Sequence, residues 1–229
     1  MKKLILTKLQ KILWNHNNWA LVGFIQRPNF CKIYKDIAIK DKATALEVSE
    51  LFNIYSSVIT TKKIKGDIAE VGVFKGGSAK AMAIARAITK QDKIIHLFDT
   101  YEGLPEVLSI DSKWNGKMFK KGQFEASLEQ VQSYLKKFKN IKFYKGLFPK
   151  TSDPVKNKKF SLVHLDVDIY SSTIDSLKFF YPRMNRGGII ISHDYPFAKG
   201  VQKAFDEFFK DKPEVIVSLI NKQALVVKM

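Results

Sequence analysis

The chain has 229 residues, of which 45% are hydrophobic, and this suffices for one well-packed α/β domain with some appended structure but hardly for two domains. Its single cysteine, Cys31, excludes an internal disulfide and fits a reducing cytosol. Lysine and arginine outnumber aspartate and glutamate by 39 to 22, and the resulting net charge of +17 favours anionic partners such as acidic or phosphorylated substrates, nucleic acid or anionic lipid. The lysines are spread along the whole chain, so a general compositional bias is a serious alternative explanation.

Residues 1–40 read as a basic appendage to a domain that we place at residues 41–229. Lys8 and Lys11 interrupt the apolar run that an export signal or a membrane span would need, so we expect a cytoplasmic protein. The start of this appendage has the pattern of a short amphipathic helix. One face carries the apolar side chains Ile5, Leu9, Ile12 and Leu13, and most of the lysines Lys2, Lys3, Lys8 and Lys11 lie on other faces. This amphipathic helix docks on the domain or on a second subunit; the alternative is peripheral contact with the inner membrane face.

From Asp41 onward, short apolar strands alternate with amphipathic helices. We predict strands at 67–71, 93–98, 141–144, 160–165, 188–192, 215–219 and 224–228, and helices at 42–61, 78–89, 125–137, 171–181 and 200–210. The alternation predicts a mostly parallel sheet with helices on both faces, closed by an antiparallel hairpin around Asn221 and Lys222. Residues 100–122 read as a long loop, a length typical of functional lids or disordered segments.

The first strand runs into a glycine turn, Gly72-Val-Phe-Lys-Gly-Gly-Ser78, and then into a helix. Glycines let the backbone approach a ligand, and the helix presents unpaired N–H groups at its start. A dinucleotide fingerprint needs a glycine where Phe74 stands, so that a pyrophosphate can lie on the backbone. A ligand without a pyrophosphate fits better, and S-adenosylmethionine is the leading candidate, with plain packing as the alternative. The residues assigned to this cofactor are Glu70, Gly72, Phe74, Gly76 and Ser78.

Further candidates follow the next two strands, because ligands of parallel sheets bind at the carboxyl ends of the strands. Asp99 and Thr100 end the second strand, and Gly146 follows the third. Asp99 stands where an acidic side chain would accept hydrogen bonds from both ribose hydroxyls of an adenosine, with a turn cap as the alternative. We count all three residues as candidate cofactor-binding residues.

Four ionisable residues gather at the ends of the fourth and fifth strands: Asp166 and Asp168, then His193 and Asp194. Like charges this close repel each other unless a cation lies among them. Oxygen ligands suit magnesium, calcium or manganese, and the imidazole widens the choice toward iron or zinc. We predict a divalent metal among these four residues; hydrogen-bonded caps are the alternative.

Four stretches together resemble the macrocin O-methyltransferase family: Phe98-Asp-Thr-Tyr-Glu-Gly-Leu-Pro105, Gly146-Leu-Phe-Pro-Lys-Thr151, His164-Leu-Asp-Val-Asp-Ile-Tyr170 and Gly187-Gly-Ile-Ile-Ile-Ser-His-Asp-Tyr195. The resemblance runs from about Asp41 to Phe209. It implies a Rossmann-like class I methyltransferase whose seven-stranded, mostly parallel sheet has an antiparallel last strand. It also implies a strand-end metal, Mg²⁺ or Mn²⁺, held by Asp166, His193 and Asp194, with Asp168 as a further ligand or the proton acceptor. The implied reaction is methyl transfer to a hydroxyl of a sugar, glycan or glycosylated natural product. The family usually has aspartate at the position of His193, which leaves the identity of the metal open.

The catalytic candidates are Asp166, Asp168 and His193. A sugar hydroxyl is a poor nucleophile at neutral pH, so a metal would lower its pKa while Asp168, or His193 if it is not a ligand, accepts the proton. The loop at 100–122 would close over the acceptor with Tyr101, Trp114 and Phe119. We expect a small-molecule or glycan acceptor, which the basic charge allows to be anionic or lipid-linked, and a homo-oligomer.

Two other classes of function stay open. A nucleic-acid binder or RNA methyltransferase would explain the charge, but the chain has no RNA-recognition or helix-turn-helix motif and no dense basic tract. No specific nucleic acid is therefore expected. A non-catalytic nucleotide-binding module would share the glycine turn, yet it would have no reason to gather four ionisable groups at two strand ends.

Overall fold

The computed structural model describes residues 28–113 and 115–229. Its strands are β1 (Asp67–Val71), β2 (Ile95–Asp99), β3 (Ile141–Lys145), β4 (Phe160–Leu165), β5 (Met184–His193), β6 (Val217–Ser218) and β7 (Gln223–Val227). They form one sheet in the order β3-β2-β1-β4-β5-β7-β6. The first five strands are parallel, and β7 runs antiparallel to both β5 and β6. The predicted mixed sheet with an antiparallel last strand is confirmed.

The helices of the described residues are α1 (Pro28–Tyr34), α2 (Val48–Thr60), α3 (Gly77–Ile88), α4 (Leu128–Leu135), α5 (Tyr170–Phe180) and α6 (Lys199–Phe209). A π-helical turn, Lys35–Lys40, continues α1, and short 3-10 turns lie at Thr61–Lys63, Asp153–Val155 and Tyr181–Arg183. Alternate residues of a strand point to opposite faces of the sheet. Accordingly Ile68 of β1 packs in one buried cluster with α2 and α3, whereas Ala69 packs in a second cluster with α5 and α6.

Residues 28–40, which the sequence pattern assigns to the basic appendage, pack on the domain. Phe30 and Ile37 are buried in the cluster that contains α2, and the Phe30 ring lies 5.1 Å from the ring centroids of both Phe52 and Tyr55. Pro28 begins α1, a position that suits proline because the first helical N–H has no partner within the helix. The predicted basic amphipathic helix lies in residues 1–27, outside the described residues.

Helix α2 begins at Val48, six residues later than the predicted start at 42. Glu47 and Glu50 form a reciprocal capping box at this point, in which the Glu47 N–H donates to the Glu50 carboxylate at 2.7 Å. Glutamate is not a usual N-cap residue, which explains why the sequence pattern does not reveal this start. The preceding residues are therefore free to lie against the glycine turn, where the Gly77 N–H donates to the Ala43 carbonyl at 3.0 Å.

The glycine turn after β1 is locked against the end of β4. Gly72 has a φ of +84°, and a Cβ atom built on it would lie 1.8 Å from the carbonyl oxygen of Asp166. Only glycine fits both the left-handed conformation and this close approach of two backbones.

Gly72→Ala should therefore destabilise the protein far more than Gly116→Ala, which serves as its matched control. Gly116 has a similar φ of +78° but no atom within 4 Å of its built Cβ. Both variants carry the strain of a left-handed alanine, about 1–2 kcal/mol, and only Gly72→Ala adds an overpacking penalty of about 1–3 kcal/mol. Urea denaturation followed by circular dichroism measures the difference, and equal destabilisation of the two variants would contradict the described contact.

Candidate active site

A cavity of about 270 Å³ opens at the carboxyl ends of the parallel strands. It brings together ten of the twelve predicted site residues: Gly72, Phe74, Ser78, Asp99, Thr100, Gly146, Asp166, Asp168, His193 and Asp194. The two exceptions, Glu70 and Gly76, do not line the cavity. The glycine turn and the strand-end acids thus share one site, as the position rule for parallel sheets predicts.

Glu70 lies inside the sheet and supports the turn from behind. Its carboxylate is fully buried, 2.8 Å from Nδ1 of His164 on the neighbouring strand β4. Burial raises the pKa of Glu70, and the hydrogen bond to His164 opposes that shift. Gly76 precedes α3 with a φ of +83° and packs toward the side chains of Val131 and Leu135. Both residues shape the turn without reaching the cavity wall.

Asp99 holds the glycine turn in place. One carboxylate oxygen accepts hydrogen bonds from the backbone N–H groups of Val73 and Phe74 at 2.6 and 2.9 Å, and the other accepts from Tyr101 at 2.7 Å. The Thr100 hydroxyl also lies 3.4 Å from that second oxygen, but it donates over a shorter distance, 2.7 Å, to the Gly103 carbonyl. A carboxylate offers about four acceptor positions, so one further donor can bind in place of this long contact. Asp99 therefore lies where a ribose hydroxyl can reach it, while most of its acceptor capacity already serves the fold.

Asp166, His193 and Asp194 form a compact cluster at the ends of β4 and β5. Nδ1 of His193 lies 3.1 Å from the Asp166 carboxylate and 3.4 Å from that of Asp194. One potential ligand atom from each residue lies within 4.8 Å of the others. Two carboxylates and one imidazole are a donor set that suits a divalent cation. By proximity and chemistry, these residues fit the predicted metal.

The acids of this cluster shift each other's proton affinity. Burial alone would lower the pKa of His193, but Asp166, Asp194 and Glu50 raise it well above its usual value. Burial and the charges of Asp194 and Asp166 raise the pKa of Asp168 well above its usual value. These shifts favour a proton on the imidazole and on Asp168, and a bound cation would displace the proton from the imidazole nitrogen that ligates it.

Asp168 and Asp194 also have unusual backbones, each with a φ of +62°. A left-handed conformation is unfavourable for a residue with a Cβ atom by about 1–2 kcal/mol and persists only where the surrounding structure imposes it. Such strain concentrates at functional sites in proteins, and here it coincides with the acid cluster.

The long loop is a packed wall of the site. Asp111 is fully buried, and its carboxylate accepts hydrogen bonds from the N–H groups of Tyr170 at 2.7 Å and Leu108 at 2.9 Å. Lys113 pairs with Ala198, which joins the loop to the segment after β5. Three aromatic residues of the loop are expected from the sequence to cover the acceptor. Tyr101 and Phe119 are both buried, and of these two only Phe119 lines the cavity. Trp114 is outside the described residues. The loop is thus pinned at several points, which a freely moving lid would not be.

Three residues near the site escape prediction from the sequence. Glu50 of α2 lies behind His193, and Lys113 and Lys222 line the cavity. The apolar periodicity of α2 shows which face of the helix is buried, but it does not show that Glu50 on that face contacts His193. The sequence does not single out the two lysines as site residues, because no motif or spacing distinguishes them from the other basic residues, 39 in all.

The strand order, the glycine turn after β1 and the strand-end cavity define a class I Rossmann-like methyltransferase. Among solved structures, that of the O-methyltransferase NovP matches with a TM-score of 0.72 at 24% identity, covering 82% of each chain. The calicheamicin methyltransferase CalS11 matches with a TM-score of 0.69 at 17% identity, covering 86% of this chain and 90% of that one. At these identities the two structures show the fold alone.

The family profile of macrocin-O-methyltransferase (TylF) matches residues 47–224. The chain therefore belongs to the macrocin O-methyltransferase family, and it is an S-adenosylmethionine-dependent methyltransferase. The demethyldecarbamoylnovobiocin O-methyltransferase of Streptomyces niveus is 27% identical over 72% of this chain and 67% of its own length. A tetracenomycin-C 4'-O-methyltransferase of Streptomyces olivaceus is 31% identical over 58% of this chain and 54% of its own length. No helix within the described residues has both the length and the apolar character of a membrane span.

Asp99→Ala should weaken S-adenosylmethionine binding about tenfold or more, because hydrogen bonds to a charged group contribute about 1.5–3 kcal/mol. The variant would lose affinity for two reasons: the ribose would lose a hydrogen-bond acceptor, and the glycine turn would lose the carboxylate that holds it. Isothermal titration calorimetry measures the affinity, and Glu102→Ala is the control because that acid is exposed nearby and does not line the cavity. Unchanged affinity in Asp99→Ala would remove Asp99 from the cofactor site.

Proposed function

We propose that this protein transfers a methyl group from S-adenosylmethionine to a hydroxyl of a sugar, glycan or glycosylated natural product, assisted by a divalent cation. The observation that carries the proposal is the position of Asp168 beside Asp166, His193 and Asp194 on the wall of a methyltransferase cavity. The named relatives support the acceptor class. One is a 4'-O-methyltransferase of a rhamnosyl-bearing tetracenomycin, and another is mycinamicin III 3''-O-methyltransferase.

The chain's own residues have separate tasks in this reaction. The cofactor supplies an activated methyl group on a sulfonium. Asp166, His193 and Asp194 would hold a divalent cation, whose positive charge would lower the pKa of the acceptor hydroxyl. Asp168 accepts the hydroxyl proton as the new C–O bond forms and the S–C bond breaks. The buried wall excludes water from the reacting atoms.

Chelation should abolish methyl transfer, and Mn²⁺ should restore it better than Mg²⁺, because an imidazole replaces one oxygen ligand. Asp166→Asn and Asp194→Asn should each abolish activity while S-adenosylmethionine affinity stays within about threefold, since neither acid belongs to the glycine turn. Release of S-adenosylhomocysteine, screened over glycosides and nucleotide sugars, measures turnover. The exposed Asp153→Asn is the control.

Full activity in the chelated enzyme, together with an inactive His193→Asp variant, would overturn the metal assignment. His193 would then be the general base that takes the hydroxyl proton directly.

Two lysines on the cavity wall support an anionic acceptor. Lys113 and Lys222 are half-buried, and neither has an ion-pair partner among the acids of the described residues. Lys113 pairs through its backbone with Ala198, and Lys222 Nζ lies 4.9 Å from the ring centroid of Phe197. Both lysines therefore flank the segment that follows the acid cluster. The charge of Lys222 helps to lower the pKa of Glu50 and Asp194, but no acid of the described residues pairs with it directly. A phosphate or carboxylate on the acceptor would give both lysines a direct counter-ion.

Lys113→Met and Lys222→Met should each raise KM for a nucleotide sugar about tenfold or more and leave KM for the matching neutral glycoside nearly unchanged. Mn²⁺ affinity should not fall in either variant, because a lysine repels a bound cation. Steady-state kinetics on the matched pair of acceptors is the measurement, with the exposed loop variant Lys117→Met as control. Equal effects on the charged and the neutral acceptor would contradict the anionic assignment.

A further inference from the structure

His193 presents its two ring nitrogens to acids on opposite sides. Nδ1 faces the cavity, where it lies 3.1 Å from Asp166 and 3.4 Å from Asp194. Nε2 faces away from the cavity, 3.4 Å from a carboxylate oxygen of Glu50. The Glu50 side chain is only 1% exposed and does not line the cavity, so it contacts no substrate. The imidazole thus separates a buried acid from the predicted metal ligands.

Other residues hold Glu50 in this place. Its Oε2 accepts a hydrogen bond from the Glu47 N–H at 2.7 Å in the capping box that begins α2. Its carbonyl accepts one from the Gln223 side chain at 3.3 Å, which ties it to β7. The oxygen that lies 3.4 Å from His193 Nε2 is this same Oε2. Among the described residues, His193 Nε2 and the second Glu50 oxygen, Oε1, are both buried with no hydrogen bond in place. The Glu50 carboxylate is thus the acceptor that faces Nε2, and it keeps acceptor capacity beyond its bond to Glu47.

We propose that Glu50 is a positioning residue that accepts the Nε2–H of His193 and thereby keeps Nδ1 available as the third metal ligand. The inference rests on the proposed function, because it assumes the cation at Asp166, His193 and Asp194. A neutral imidazole carries one N–H and one lone pair, so an acceptor fixed behind Nε2 selects the tautomer whose lone pair is on Nδ1. A carboxylate behind a ligating histidine also orients its ring and strengthens it as a ligand.

Glu50→Gln is expected to weaken Mn²⁺ binding about tenfold or more, the usual effect of removing such a partner. Electron paramagnetic resonance of free Mn²⁺ measures the affinity without any acceptor or turnover. Glu47→Gln is the matched control: Glu47 belongs to the same capping box but is exposed and does not face His193. The control variant should retain Mn²⁺ affinity within about twofold.

The effect should shrink in the His193→Asp background. There Glu50 faces a carboxylate and has no N–H to accept, so Glu50→Gln removes only a longer-range attraction to the cation and should change Mn²⁺ affinity by no more than about threefold. A merely structural role of Glu50 in α2 would weaken binding in both backgrounds. Equal loss in the two backgrounds, or no loss in either, would overturn the inference while leaving the metal proposal intact.

Nitrogen-15 spectra of the Zn²⁺-loaded wild-type protein test the tautomer directly and do not depend on the folding of any variant. We expect the proton of His193 on Nε2 and the metal on Nδ1; a proton on Nδ1 would overturn the inference. A wild-type protein that binds neither Mn²⁺ nor Zn²⁺ would overturn the metal proposal and this inference with it.

Discussion

The carbonyl oxygen of Asp166 lies where any residue other than glycine at position 72 would place its Cβ atom. Backbone hydrogen bonds hold the same place: the Asp166 N–H after β4 donates to Val71 O of β1, and the Gly72 N–H after β1 donates to Phe98 O of β2, each at 2.9 Å. The glycine turn and the first residue of the acid cluster are therefore fixed relative to each other by backbone contacts. Because side chains do not set this distance, a methyl donor at the turn and an acceptor at the acids would share one edge of the sheet.

The same edge concentrates negative charge that the fold must neutralise. Asp166, Asp168, Asp194 and Glu50 surround one imidazole, and Asp168 and Asp194 are additionally held with left-handed backbones. Two pKa shifts reduce this repulsion: the pKa of His193 is raised, which favours its positively charged form, and the pKa of Asp168 is raised, which favours its neutral form. A cation at the cluster would relieve both at once, because it offsets the acids without a proton.

The sequence predicts those parts of the structure that depend on local pattern. β1 and β4 are predicted to the residue, because each is an apolar run that ends in glycine or aspartate, and the acid cluster follows from the meeting of parallel strand ends. Contacts between distant segments are not predictable in this way. Glu50 meets His193 only because α2 lies across the end of β5, and Asp99 binds the turn with the carboxylate that a ribose would also need. The spacing of Asp99 in the sequence fits either role and does not distinguish a ribose partner from a support of the turn.

The resemblance of the sequence to its family implies an aspartate where this chain has His193. Replacing that carboxylate by a neutral imidazole would remove one negative charge from the ligand set and weaken its hold on a hard cation. Glu50 places a negative charge one step farther out, because its carboxylate lies 3.4 Å behind the ring. The total acidic charge around a cation at this site would thereby be retained while its inner ligands became softer. Such an arrangement would keep affinity for a divalent ion and move its preference from magnesium toward manganese or a later transition metal.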